Sequence, residues 1–344
     1  MAYTTINKSS LHMNTKLYTG NAGTQAVTGV GFQPDMCWFK ARNNTDTHAI
    51  FDAVRGATKR IIPDNTTAEG IQSNGITSFD SDGFTSGGAN ITNGSGRNYA
   101  SWNWKANGAG SANTDGSISS TVSANTTSGF SIVSYTGNGT SGATIGHGLS
   151  SAPSMIIFKS ISTTNSWLVY HKGIGATKFL RLETTDAEAV ASSVVNDTAP
   201  TSSIITLGDS GGVNANGVTF IAYCFAEKVG YSKIGSYVGN GNADGSFIYT
   251  GFKPALIIMK RSDASGNNWR IFDNKRSTSG FNVIDKTLRP NDSAIEGSSN
   301  IDFVSNGVKI RNTDAEDNTS GGTYIYMAFG QSIVGSNNVP CTAR

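Results

Sequence analysis

Apolar residues in this chain come in short runs separated by stretches rich in glycine, asparagine, serine and threonine, and the runs recur in a fixed order. Three of them are unbroken and end in lysine: Met36-Cys37-Trp38-Phe39-Lys40, Met155-Ile156-Ile157-Phe158-Lys159 and Leu256-Ile257-Ile258-Met259-Lys260. Unbroken runs this short predict strands covered on both faces, as in the core of a sandwich. Three others are aromatic and alternate: Tyr99–Trp104, Phe220–Phe225 and Tyr324–Phe329. In the first, Tyr99, Ser101 and Asn103 share one face of the predicted strand, and Ala100, Trp102 and Trp104 share the other. Asn74-Gly75, Asp82-Gly83, Asn138-Gly139, Asn216-Gly217, Asn240-Gly241 and Asn306-Gly307 lie between such runs. These pairs favour the positive-φ turns that join hairpins. One segment, Thr185 to Val195, has some helical composition. Its counterparts elsewhere contain Pro63 and Pro290, so a turn or one short helix is the most it predicts.

The order of the runs is an internal repeat. Tyr18-Thr19-Gly20-Asn21 returns as Tyr135-Thr136-Gly137-Asn138 and as Tyr237-Val238-Gly239-Asn240. Each is followed by a proline landmark (Pro34, Pro153, Pro254), a lysine-ended run, and a second short strand: Ala49–Asp52, Trp167–His171 and Trp269–Asp273. Then come Ile62–Ala68, Leu182–Ala187 and Arg289–Ala294, and last the aromatic strand. A register held through so many landmarks predicts three tandem β-sandwich modules, jelly-roll-like, over residues 18–106, 131–227 and 236–333. Each has the usual size of such a domain. Residues 1–17 form an N-terminal arm on this reading. Residues 107–130 form a linker, flexible or extended; 228–235 are a short linker and 334–344 a tail.

Composition narrows the functional classes. Charged residues are 15% and hydrophobic residues 37% of the 344. The charge is low for a globular enzyme, and the residues replacing it supply turns. Net charge is +2 with no basic run, which argues against a nucleic-acid partner. No segment approaches a membrane span and the N-terminus lacks a secretory pattern, so a soluble protein without membrane insertion is expected. Cys37, Cys224 and Cys341 are too few and too scattered for a disulfide framework or zinc site; Cys37 and Cys224 read as buried apolar residues.

Candidate chemistry is sparse. Gly208-Asp209-Ser210-Gly211-Gly212 has the form of a serine-protease nucleophile motif, but Ser210 falls in a loop where the other copies carry glycine turns. His12, His48, His147 and His171 are spread over different modules, with no converging ligand set. Asp64, Asp80 and Asp82 have the chemistry to bind calcium, although tight turns account for the last two. The five tryptophans read first as core packing. The second reading is stacking on sugar rings, for which Trp167 and Trp269, each opening a strand, form the candidate exposed pair for glycan or partner contact. Catalytic and metal residues are not expected, nor is a cofactor.

Tyr18–Asn21 running into Gly31-Phe32-Gln33-Pro34-Asp35, the block Tyr223–Tyr237, and the ending Val339–Arg344 resemble repeat-built proteins encoded by phages of marine bacteria. The resemblance covers nearly the whole chain. It implies a virion structural protein without catalytic residues, made in the host cytoplasm and carried on the particle surface as a tail fibre, other appendage or capsid decoration. Its partners would be other virion proteins of capsid or tail. Homo-oligomerisation is expected, with a trimer as candidate. The alternative is a carbohydrate-binding protein recognising cell-surface glycans.

Overall fold

The computed structural model describes residues 4–277 and 282–332. The chain is all-β and layered as sandwiches of sheets. Among the described residues, helix is confined to Asn90–Asn93, Ser192–Val195 and a single 3-10 turn, Ser9–Leu11.

Six of the seven sheets among the described residues lie in three pairs; the seventh is the two-stranded Lys59–Arg60 with Gly70–Ile71. The inner sheet of the first has the order Met13–Thr19, Asn98–Trp104, Met36–Ala41, Ala49–Asp52. The second has Phe130–Thr136, Thr219–Phe225, Met155–Ser160, Leu168–His171 in the same sequence of neighbours, with further strands on both sides. The third has Ser232–Val238, Thr323–Gly330, Pro254–Arg261, Arg270–Asp273. All these pairings are antiparallel. Against each inner sheet lies an outer one. The first is Gln25–Thr28, Gly83–Ser86 and Ile76–Asp80. The second is Thr144–Gly146 with Ile204–Thr206. The third is Phe247–Tyr249, Gly307–Ile310, Gly297–Val304 and Val283–Thr287.

Side-chain alternation divides every inner strand between two cores. Cys37 and Phe39 face the first outer sheet, while Met36 and Trp38 face away from it. Ile156 and Phe158 oppose Met155 and Ile157 in the same manner, and Ile257 and Met259 oppose Leu256 and Ile258. The residues facing away from all three outer sheets form one common cluster. Continuous hydrophobicity in these runs thus reflects burial between a private core and a shared one.

The 107–130 stretch is not a loose connector. Ser111–Asn113 pairs with Ser120–Asn125, which pairs with Phe130–Thr136, extending the second inner sheet. The residues this stretch buries include the small Ser120, Ser123 and Ser128, beside Ile118, Val122 and the closing Phe130. Asp35 fixes its start, accepting from the amides of Ala106 (2.6 Å) and Gly108 (3.1 Å). Met13–Leu17, read as part of the arm, pairs with the Ala100–Trp104 strand, and Ser232–Gly235, read as linker, pairs with Tyr326–Phe329. The tail 334–344, including Cys341, lies outside the described residues.

Candidate functional site

The residues with the most chemistry gather at the shared centre and along the three joints around it. Trp104, Phe225 and Phe329 close the aromatic strand of each inner sheet. Their rings meet edge to face, with centroids 6.2, 5.9 and 6.2 Å apart. This geometry sets ring edges against ring faces, each pair contributing about 0.5–1.5 kcal/mol beyond area burial. Beside them is an apolar void of about 10 Å³ lined by Met36, Trp38, Ile157, Tyr223, Ile258 and Met327 among others.

Three equivalent main-chain hydrogen bonds, among others such as Asn165 N–H to Thr66 O and Gly266 N–H to Thr185 O, join the sheet pairs in a cycle. The Glu69 amide donates to Ile161 O (2.9 Å), Glu188 to Ser262 O (2.8 Å), and Glu296 to Arg42 O (2.8 Å). The first runs from the first pair to the second, the next from the second to the third, and the last returns from the third to the first. Arg42 strengthens the return with a forked ion pair to Glu296, its Nη2 standing 2.7 Å from Oε2. At the other end of the inner sheets, Ser10 Oγ and Ser332 Oγ are 2.9 Å apart and Ser9 Oγ donates to Gln331 O at 3.2 Å, so the two ends of the described chain touch.

Aromatic N–H groups cross the same joints. Trp167 Nε1 donates to the carbonyls of Ile62 and Asn65, both at 3.0 Å, and Trp269 Nε1 to that of Arg181 at 2.9 Å. His48 holds the corresponding position in the first sheet pair, one residue ahead of Ala49–Asp52. Its Nδ1 accepts from Trp38 Nε1 at 2.9 Å, which leaves the proton on Nε2, facing the carbonyls of Arg289 and Asp292 without a close hydrogen bond. Burial, then the charge of Lys40, lowers the His48 pKa to about 3, so the ring is neutral.

The three run-ending lysines are buried at these joints. Lys40 Nζ donates to the carbonyls of Ala41 and Asn44, Lys159 to those of Thr66 and Asn165, and Lys260 to that of Arg261. Burial lowers each pKa to about 8, opposed by carboxylates: Asp46, Asp64 and Asp292 near Lys40, Glu183 near Lys159, and Asp186 first among those near Lys260.

Two of the buried ion pairs also take a bond from a neighbouring inner sheet; a third, Arg270 with Asp317 at 2.7 Å, does not. Asp52 Oδ2 takes Arg55 Nε at 2.5 Å and the Tyr223 hydroxyl of the second inner sheet at 2.6 Å. Asp273 Oδ2 takes Arg276 Nε at 2.5 Å and Trp102 Nε1 of the first inner sheet at 2.9 Å. At the third corresponding place stands His171, whose Nε2 lies 3.1 Å from Tyr326 O. The neighbour that would supply a donor there is Met327, which has none, and the aspartate is absent with it.

The recurring Tyr-Thr-Gly-Asn motif is a latch. Tyr18, Tyr135 and Tyr237 donate their hydroxyls to the carbonyls of Thr92, Val213 and Asp317. The residue after each acceptor is a buried asparagine. Asn93, Asn214 and Asn318 accept through Oδ1 from the amides of Asn21, Asn138 and Asn240, each at 2.9–3.0 Å. The glycine between permits close approach: a β-carbon on Gly20, Gly137 or Gly239 would stand 2.3, 2.5 and 2.3 Å from a carbonyl oxygen.

The exposure expected of Trp167 and Trp269 is corrected. They are 0% and 1% exposed, because the neighbouring sheet pair covers the start of each strand, and neither ring is open to a glycan. Ser210 Oγ accepts the Gly212 amide within its own loop (3.2 Å). Asp82 accepts from the amides of Gly29 (2.9 Å) and Gly31 (2.7 Å), bonds that lower its pKa, and Asp80 accepts from Ser78 and Thr85. Asp64 caps the His48 amide at 3.1 Å, and burial raises its pKa to about 6. Cys37 and Cys224 are buried free thiols. Among the described residues no three His, Cys, Asp or Glu side chains gather as a metal-binding group, and no helix is long and apolar enough to cross a membrane. Sequence reading missed the lysines and the Asp–Arg pairs; Asp-x-x-Arg at 52–55 and 273–276 was the signal for the latter.

Residues 8–332 match the model of a family described as Domain of unknown function (DUF7483), and the chain belongs to that family. No curated protein and no solved structure matches it.

Proposed function

We propose that this DUF7483 chain is three copies of one jelly-roll-like sandwich module closed into a ring, and that it serves as a non-enzymatic structural protein on the surface of a bacteriophage particle. The observation that carries the ring is the cycle of hydrogen bonds donated by the backbone amides of Glu69, Glu188 and Glu296, whose last member returns to the first sheet pair. Such closure within one chain does what a cyclic trimer does with three: it buries the apolar backs of three sandwiches on one axis. The residues with the most chemistry are engaged in this architecture, which supports a building block over a catalyst. The likeness of the motifs to repeat-built phage proteins supplies the particle. An appendage component is preferred to capsid decoration.

The test is localisation. Antibody-gold labelling of intact particles by electron microscopy is expected to decorate a discrete surface structure. Purified particles whose proteome lacks this chain would overturn the assignment. Glycan recognition, the second reading, now needs a surface other than Trp167 and Trp269; a glycan array with no binder would dismiss it.

A further inference from the structure

The three outer sheets differ at one edge. In the second, the strand Thr144–Gly146 is covered by the chain's own residues. The Ile118 amide donates to Thr144 O at 2.9 Å, the Ser117 amide to Thr144 Oγ1 at 2.8 Å, and the Thr144 amide to Ser117 Oγ at 2.8 Å. Ile118 and Ile145 make a parallel bridge, and Ile118 is 8% exposed. In the third, Phe247–Tyr249 has the matching place. Its Ile248 pairs with Val308 and enters the third core, as Ile145 pairs with Ile205 and enters the second. Among the described residues no strand pairs with its other side.

Where the covered strand has Thr144 and Gly146, this bare one has Phe247 and Tyr249, 46% and 63% exposed, with Val238 (58%) close by. The bare strand of the first outer sheet instead presents Ala26 and Thr28. Open edges are ordinarily blunted by charge, proline or bulges, and Phe247–Tyr249 has none of these. Phe247 is partly accounted for, since its ring lies over Gly307, 2.9 Å from where a β-carbon would stand. Tyr249 is not. Nearby charge is already paired: Lys309 stands 2.9 Å from Asp244, and Arg311 3.1 Å from the same carboxylate.

We propose that the Phe247–Tyr249 edge docks an extended segment of a partner protein, added as a parallel strand in the manner of Ser117–Ile118 on Thr144–Gly146. The segment is uncharged and sets a β-branched aliphatic residue between small polar ones. Main-chain bonds supply affinity, and the two rings select the side chains beside them. The inference does not depend on the particle assignment.

A library of random linear peptides displayed on mRNA is selected on the full chain. Enriched peptides are then synthesised and measured by fluorescence polarisation against the parent, Tyr249→Lys, Tyr249→Ser and Ala26→Lys. Expected winners carry the aliphatic-in-polar pattern, bind Ala26→Lys like the parent, and lose affinity about tenfold or more on Tyr249→Lys. Tyr249→Ser, with no new charge, gives a smaller loss; thermal melts of both variants should match the parent. Failure to enrich any peptide, or winners that bind Tyr249→Lys undiminished, would overturn the proposal. So would a parent dimer by light scattering that Tyr249→Lys dissociates, which would make the occupant a second copy of this chain.

Discussion

Trp102 of the first inner sheet donates its indole proton to Asp273 of the third, 2.9 Å away, and Asp273 is one of two carboxylates, with Glu296, that neutralise buried Arg276. One oxygen therefore serves both an internal ion pair and a joint between sheet pairs. Deleting Asp273 takes one of two carboxylates from a guanidinium that is 0% exposed, leaving Glu296 Oε1 at 3.0 Å. Asp273→Ala should cost about 3 kcal/mol, the low end of the range for breaking a buried pair, because Glu296 still faces the charge. Trp102→Phe removes one bond to a charged acceptor and should cost about 1.5–3 kcal/mol from that bond, with packing loss added. Urea denaturation midpoints compare the two; a harmless Asp273→Ala would refute the role given to it.

His48 should make stability fall in acid. Its folded pKa, near 3, lies below the unfolded value of about 6.5. Between those values the unfolded chain binds the extra proton, so folding weakens as pH drops. The loss from this one ring is about 3 kcal/mol at pH 4. Asp64 and Asp317, raised by burial to about 6, act oppositely: the folded form takes their protons first, so they add stability as pH falls below 6. Comparing parent with His48→Phe cancels their contribution. The variant should hold its melting temperature from pH 7 to 4 better than the parent.

Lys40, Lys159 and Lys260 titrate in the other direction. Their folded pKa values near 8 lie below the unfolded value of about 10.4. From pH 8 upward the unfolded state holds more protons, so stability from these groups rises with pH. Cys37 and Cys224 oppose the trend, because burial raises their thiols and the unfolded state ionises first. The difference isolates the lysines: replacing all three by methionine should make the change in melting temperature between pH 7.5 and 9.5 more negative than in the parent.

A fragment of residues 1–106 should not behave as a folded domain. Met36, Trp38, Ile50, Trp102 and Trp104 belong to the shared core and would face water. Such a patch drives association. Expressed alone, the fragment is expected to aggregate or bind a hydrophobic dye strongly, with a broad melt. A sharp, reversible transition and monomeric behaviour would mean that the sandwiches are self-sufficient.

Strand content was legible because period and turn chemistry are local. The runs at Met36, Met155 and Leu256 announced two-sided burial correctly, since continuous hydrophobicity has no other use in a short strand. What covers the second side was not legible. Trp167 and Trp269 looked exposed for that reason: each opens its strand, and the groups that bury it come from a distant part of the chain. His48 was read only as a histidine without a converging ligand set, and its standing in for those tryptophans emerges only once Ala49, Leu168 and Arg270 are aligned as strand starts. Residues 107–130 misled through composition. Short strands of serine, threonine and alanine carry no apolar alternation to detect, and their fit depends on a carboxylate, Asp35, placed far earlier.

The contact of Ser10 with Ser332 has a consequence for how such a chain can be written. With the first and last described residues side by side, the sequential order of the sheet pairs is a convention of the gene and not a demand of packing. A short bridge across that gap, with the polymer reopened at Val229, 70% exposed between the second and third sheet pairs, would spell the same solid from a different starting letter.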